Sequence, residues 1–207
     1  MKPLQESPTT LFSYVVDHDT GFAPNPYHGY CTLAQCKFSK NGRRRNIIEL
    51  AKKGDWIVGT GGRSKRSAGH GRIVYAMKVT NVLTLKEYFK DRRFVEKKRS
   101  KQNPSGDNLQ ECTNDNRRSV LISSRFWYFG MRAKRIPKGL IGSLEKRGPG
   151  FRRQFPPEFV RLFDRWIGKF RRGKSGEPWA QQPVETCTPR PIRRVVRRGC
   201  EPEGRCR

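Results

Sequence analysis

Along this chain hydrophobic positions recur with two periods, and the two periods predict different elements. In Gly71-Arg72-Ile73-Val74-Tyr75-Ala76-Met77-Lys78-Val79-Thr80, Ile73, Tyr75, Met77 and Val79 fall on one side and Val74, Ala76, Lys78 and Thr80 on the other. That is the repeat of a half-buried strand. Gly54-Asp55 is a tight turn feeding a β-rich run, Trp56 to Gly59, that ends in Gly59-Thr60-Gly61-Gly62. The polar, basic stretch Arg63 to Gly69 joins the two as a hairpin loop. Leu11 to Val16 predicts a first strand, and Val120 to Gly130 a central one with a break near Ser124.

Helical spacing is clearest after Pro156-Pro157-Glu158, where proline suits the first turn and Glu158 suits the positive end of the helix dipole. Phe159, Leu162, Phe163, Trp166 and Phe170 then form one apolar face that docks on a sheet. Thr84-Leu85-Lys86-Glu87 is a capping box that opens a short helix through Phe89. Further short helices are expected between Lys37 and Lys53, before the Gly54-Asp55 turn, and around Leu140, Ile141 and Leu144. Arg92 to Pro104 reads as an exposed basic loop. The stretch Phe22 to Tyr30, with Pro24 and Pro26, reads as an ordered loop of the kind on which binding groups gather. The fold class expected is α+β: a small mixed or barrel-like β-sheet with packed helices. It occupies residues 1–172, and a disordered basic tail occupies residues 173–207, where apolar residues are sparse.

Charge adds a partner class. The 207 residues hold 45 Lys and Arg against 18 Asp and Glu, a net of +27. Residues 1–30 carry a net of −2, which leaves +29 on the remainder. A field of that sign favours polyanions, above all nucleic acid, through phosphate contacts and counterion release. Lys37, Arg43, Arg44, Arg45, Arg63, Lys65, Arg66 and Arg72 are the candidate phosphate contacts. The sequence has no apolar run of transmembrane length and no signal-peptide pattern, so a cytoplasmic, membrane-free setting is expected. The spacing of the six cysteines matches no common zinc pattern, and the thiols read as free. No phosphate-loop or deaminase signature is present, and neither a metal nor a cofactor is expected.

Several segments together resemble a known family. They are Tyr14-Val15-Val16-Asp17-His18-Asp19-Thr20-Gly21-Phe22-Ala23-Pro24-Asn25-Pro26, Cys31-Thr32-Leu33-Ala34-Gln35-Cys36-Lys37, Gly54-Asp55-Trp56-Ile57-Val58-Gly59-Thr60-Gly61 and Val74-Tyr75-Ala76-Met77-Lys78-Val79-Thr80. Ser105-Gly106-Asp107-Asn108, Val120-Leu121-Ile122-Ser123 and Phe126-Trp127-Tyr128-Phe129-Gly130 fit the same pattern. The set is similar to the nucleotide modification-associated domain of the second type, over roughly Phe12 to Phe170. The resemblance implies association with systems that modify DNA bases in bacteria, phages and mobile elements. A looser likeness of fold, the Gly-Asp strand opening and the Val-Thr strand ending, is to base-binding barrels of the PUA, EVE and ASCH type.

Three functional readings follow. The first is a nucleic-acid-binding domain, DNA favoured over RNA, that holds a modified or flipped base, with Phe22, Asn25, Trp56, Thr60, Tyr75 and Tyr128 as base-binding candidates. The second is an enzyme acting on a nucleobase or nucleotide through Asp17, His28 and Cys31, since a thiolate needs a nearby base. The third is a non-catalytic partner that recruits modification or restriction proteins. Each aromatic candidate has a plain alternative as a core residue, and Cys31 has one as a small buried hydrophobe.

Overall fold

The structure, a computed structural model, describes residues 8–34, 46–98, 106–107 and 119–179. Its centre is a pair of parallel strands, β1 (Leu11–Val16) and β3 (Trp56–Gly61), in register from Leu11 opposite Trp56 to Val16 opposite Gly61. The Gly54-Asp55 turn fixes that register at its start. The Asp55 carboxylate accepts from the Thr10 amide at 2.8 Å and from the Lys52 amide at 2.9 Å, so the entry to β1 is tied to the entry to β3.

The chain between them forms β2 (Cys31–Leu33) and α1 (Ile47–Leu50). Asn46 and Glu49 cap α1 reciprocally, which lets a four-residue helix hold. Then β4 (Arg72–Lys78) returns antiparallel to β3, with a register shift at Gly59 and Thr60. The chain passes through Val79 and Thr80 into β5 (Asn81–Thr84), a strand the sequence pattern does not mark. Thr84 caps α2 (Leu85–Lys90), as its capping box predicts.

The apolar run from Val120 does break at Ser124, and the break has an architectural purpose. The strand before it, β6 (Ser119–Ser123), lies in a three-stranded sheet between β2 and β5. The strand after it, β7 (Arg125–Tyr128), lies beside β4 in the main sheet. Both antiparallel partners therefore cross from one sheet to the other at the same level, and Thr80 N–H bonds Ile122 O at 2.8 Å where they do so. The remaining strands and α-helices of the described residues are β8 (Lys134–Arg135), α3 (Lys138–Leu144), β9 (Phe151–Arg152), α4 (Pro157–Ile167) and β10 (Gly173–Lys174). The main sheet has the order β10-β7-β4-β3-β1-β9, with β8 on the end of β4. It is a mixed, open sheet, and the fold is α+β.

Alternation sorts the core onto two faces. Phe12, Tyr14, Ile57, Tyr75, Met77 and Tyr128 face the small sheet and α1, where Cys31, Leu33, Ile47 and Leu121 meet them. Leu11, Trp56, Val58, Ile73, Ala76 and Trp127 face α3 and α4. Phe163 of α4 stands edge-on to Trp56 at 5.2 Å, and burying such a side chain contributes roughly 2–3 kcal/mol. Val160, Phe163 and Ile167 are the buried positions of α4; Leu162, expected on that face, is 45% exposed because the stripe winds past it.

Two further expectations change. Arg92–Lys97 is a 3₁₀ helix rather than an exposed loop, and it buries Phe94 and Lys97 completely. The folded chain also runs past residue 172. Gly173–Lys174 pairs with Trp127 and Tyr128, Met131 N–H bonds Glu177 O at 2.8 Å, and Trp179 Nε1 donates to Lys65 O at 2.8 Å. Sparse hydrophobicity hid this segment, because backbone bonds and a single Trp attach it. Residues 180–207 lie outside the described residues.

Candidate functional site

Because β1 and β3 are parallel neighbours, their C-terminal ends open on the same side, and loops leave both. In open α/β sheets such ends are where ligands bind, and the parallel pair here presents the same kind of opening. After β1 comes Asp17; after β3 come Gly62 and Arg63. A Cβ on Gly62 would lie 2.5 Å from Asp17 Oδ1 and 2.6 Å from Val15 Cγ1, so any larger residue here would push those side chains aside. Ser67 Oγ accepts from Gly62 N–H and bonds Val16 O, each at 2.7 Å, while Ser64 N–H bonds Asp17 Oδ1 at 3.1 Å. The loop is thus held by β1 itself.

The third wall is the segment 145–150 between α3 and β9. Together the three enclose a cleft of about 580 Å³ lined by Val15, Asp17, Gly62, Arg63, His70 and residues 147–150. A groove of about 750 Å³ adjoins it, bordered by Lys146, Phe151, Arg152, Arg153 and Glu145, and Arg147 borders both spaces. Five basic side chains, Arg63, Lys146, Arg147, Arg152 and Arg153, face two carboxylates, Asp17 and Glu145, along this path. Arg152 is partly engaged already, since its Nη1 donates to Gly142 O and Ser143 O at the C-terminus of α3.

Glu145, the C-cap of α3, organises the wall. Its side chain is only 8% exposed. Oε1 accepts from Gly71 N–H at 2.9 Å and lies 3.2 Å from His70 Nδ1, and Oε2 lies 3.7 Å from Arg147.

A buried polar layer lies under the loop that follows β1. Tyr14, Gly59, Tyr75 and Tyr128 stand directly opposite one another across β1, β3, β4 and β7. The Tyr14 and Tyr75 hydroxyls meet at 2.7 Å, and Tyr128 Oη donates to Asp19 Oδ1 at 2.6 Å. Burial raises the Asp19 carboxyl above its ordinary range. The amides of Gly21 and Trp179 oppose that rise, yet neither meets Oδ2 with hydrogen-bond geometry. That oxygen is a buried acceptor without a donor among the described residues. Burial pushes the Cys31 thiol up to about 12, so it stays protonated and is a poor nucleophile. Lys97 Nζ donates to Asn25 O and Asn25 Oδ1 at 2.9 Å and to Tyr30 O at 2.8 Å, which pins the proline loop.

The sequence-derived candidates divide accordingly. Asn25, Tyr75 and Tyr128 gather around the buried layer; Tyr75 and Tyr128 are fully enclosed, and Asn25 is occupied by Lys97. Trp56 is enclosed on the opposite face of the sheet. Thr60 is buried with its hydroxyl on Tyr14 O, and Phe22 is half-buried in the loop. These six do not form one open base pocket. Asp17 lies in the cleft, His28 pairs with Glu96 at 3.1 Å on the surface, and Cys31 is in the core, so that trio does not converge. Arg63 lines the cleft, and Lys65 and Arg66 are exposed on the same loop. Arg72 is exposed and donates to Ala133 O. Lys37, Arg43, Arg44 and Arg45 lie outside the described residues.

His70, Glu145 and Arg147 were not singled out from sequence. Their signal was the run Lys146-Arg147-Gly148-Pro149-Gly150, a basic turn beside a short helix, but nothing local tells that it faces Asp17 and Arg63. Among the described residues no group of three or more His, Cys, Asp or Glu is placed to hold a metal ion, and no helix is long and apolar enough to cross a membrane.

The family described as nucleotide modification associated domain 2 matches residues 8–116 and 98–186. No curated protein and no solved structure matches the chain.

Proposed function

The chain belongs to the nucleotide modification associated domain 2 family, and from that premise we propose that its cleft binds nucleic acid, DNA in preference to RNA, in a system that modifies bases. The observation carrying this reading is the set of Arg63, Arg147, Lys146, Arg152 and Arg153 lining two spaces beside β1 that share Arg147. Guanidinium groups suit phosphate because their donors match it bidentately. A cleft of about 580 Å³ has room for one nucleotide unit. Val15 and Pro149 supply apolar walls for a base, and Asp17 supplies a polar group for its edge. A modified or flipped base is read here by that polar group rather than by stacking, since Trp56, Tyr75 and Tyr128 are enclosed. The buried free thiol of Cys31 fits a reducing, cytoplasmic setting.

The test is a titration of the whole chain against short single- and double-stranded DNA and RNA, with plain and modified bases, over a salt series. A base preference that persists at high salt supports the reading. Affinity that vanishes with salt for every base alike restricts the surface to phosphate contacts and removes base recognition.

A further inference from the structure

The pairing of His70 with Glu145 does more than join two loops. Gly71 N–H, bonded to Glu145 Oε1 at 2.9 Å, already ties the end of the β3–β4 loop to the cap of α3. The imidazole is a second, adjacent tie with a different consequence. A carboxylate 3.2 Å from Nδ1 favours a proton on that nitrogen, which leaves Nε2 for another partner. Among the described residues nothing bonds to Nε2. His70 lines the cleft beside Arg63, Arg147 and Asp17. Its orienting carboxylate is 8% exposed and held by backbone, so the ring direction is set from behind. A base held by a buried orienter, next to cationic groups that hold an anion, is the arrangement of a proton-transfer centre.

We propose that this cleft is a hydrolytic centre for a phosphate ester of the bound nucleotide, in which His70 moves the proton and Glu145 is its positioning residue. The proposal rests on nucleotide binding in the same cleft. Arg63 and Arg147 hold the non-bridging phosphate oxygens. A water oxygen forms a bond to phosphorus, its proton passes to His70 Nε2, and the ester P–O bond breaks. His70 then releases that proton to solvent, and the leaving alkoxide on the opposite side of phosphorus takes one from solvent water. One water is consumed, a phosphate and an alcohol are released, and no electrons change hands. The substrate class is a nucleotide phosphate ester, either a mononucleotide or a strand terminus.

The experiment uses the whole chain with nucleoside 5′-monophosphates and 5′-phosphorylated oligonucleotides, with and without Mg²⁺, scoring released inorganic phosphate and shortened strands. Binding of the same compounds is measured in parallel. His70→Ala is expected to lose about 100-fold or more in kcat with binding retained, and added imidazole to restore part of the rate. Glu145→Gln, which keeps an acceptor for Gly71 N–H, is expected to lower kcat and leave KM unchanged. Arg147→Gln is expected to raise KM. A wild-type chain that binds nucleotides yet releases no more product than His70→Ala overturns the hydrolytic proposal and leaves the binding reading standing. A chain that binds none of these compounds overturns both.

Discussion

Tyr14 and Tyr75 place their hydroxyls 2.7 Å apart above Gly59, the residue that separates them in the sheet. The contact exists because Gly59 carries no side chain. A Cβ there would lie 2.6 Å from Tyr75 Cδ1 and from Val16 Cγ2. Gly59→Ala is therefore expected to destabilise the fold by about 1–3 kcal/mol through overpacking. Tyr75→Phe should cost about 1 kcal/mol, and a Tyr14→Phe, Tyr75→Phe double-mutant cycle should return a coupling of similar size. Denaturant titration of the four proteins measures this, and additive single effects would mean that the two hydroxyls do not interact.

The acid side of the stability profile should carry the mark of Asp107. Its Oδ2 accepts from Tyr88 Oη at 2.6 Å, and burial raises its carboxyl to about 6, with the Tyr88 bond and the Lys97 charge pulling the other way. The folded chain then keeps a proton that the unfolded chain has lost, so stability falls as pH rises from the ordinary 3.8 to about 6 and is level above. Lys97 shows the opposite slope. Burial lowers it from 10.5 to about 8, the unfolded chain holds the extra proton, and stability rises as pH climbs through that window. In Asp107→Asn the lower slope should become shallower, with the part left by Asp19 and Asp55 remaining, and the upper one should persist and reach further down, since the Asp107 charge that raises Lys97 is gone. Urea midpoints across the range test this, and parallel curves for the two proteins would contradict it.

The end of the folded domain can be located by truncation. Ser175 N–H bonds Tyr128 O at 2.9 Å, Met131 N–H bonds Glu177 O at 2.8 Å, and Trp179 Nε1 reaches Lys65 O at 2.8 Å. At about 1 kcal/mol for each such bond, a chain ending at residue 172 should melt on the order of 10 °C below one ending at residue 180. Equal melting temperatures for the two truncations would place the boundary at 172 after all.

Much of this fold was legible because strand and helix periods are local. The alternation from Ile73 to Val79, the Thr84-Glu87 capping box and the aromatic spacing of α4 each report their own element. What could not be read is which face meets what. Trp56 and Tyr75 look equivalent as strand aromatics, yet they lie on opposite sides of the sheet, one against Phe163 and one against Tyr14. β10 carries no hydrophobic pattern, because its attachment is backbone to backbone. The cleft was half visible: Asp17 and Arg63 follow strands and could be named, whereas His70 and Glu145, 75 residues apart, meet only through the packing of α3.

The most direct test of the central claim is the salt dependence of DNA binding by the whole chain and by Arg63→Gln, Arg147→Gln together. If these side chains hold phosphates in the cleft, the double variant should bind more weakly at every salt concentration. Its slope of log affinity against log salt should be shallower by roughly 1 to 2 units. Unchanged affinity and an unchanged slope would mean that nucleic acid does not enter this cleft.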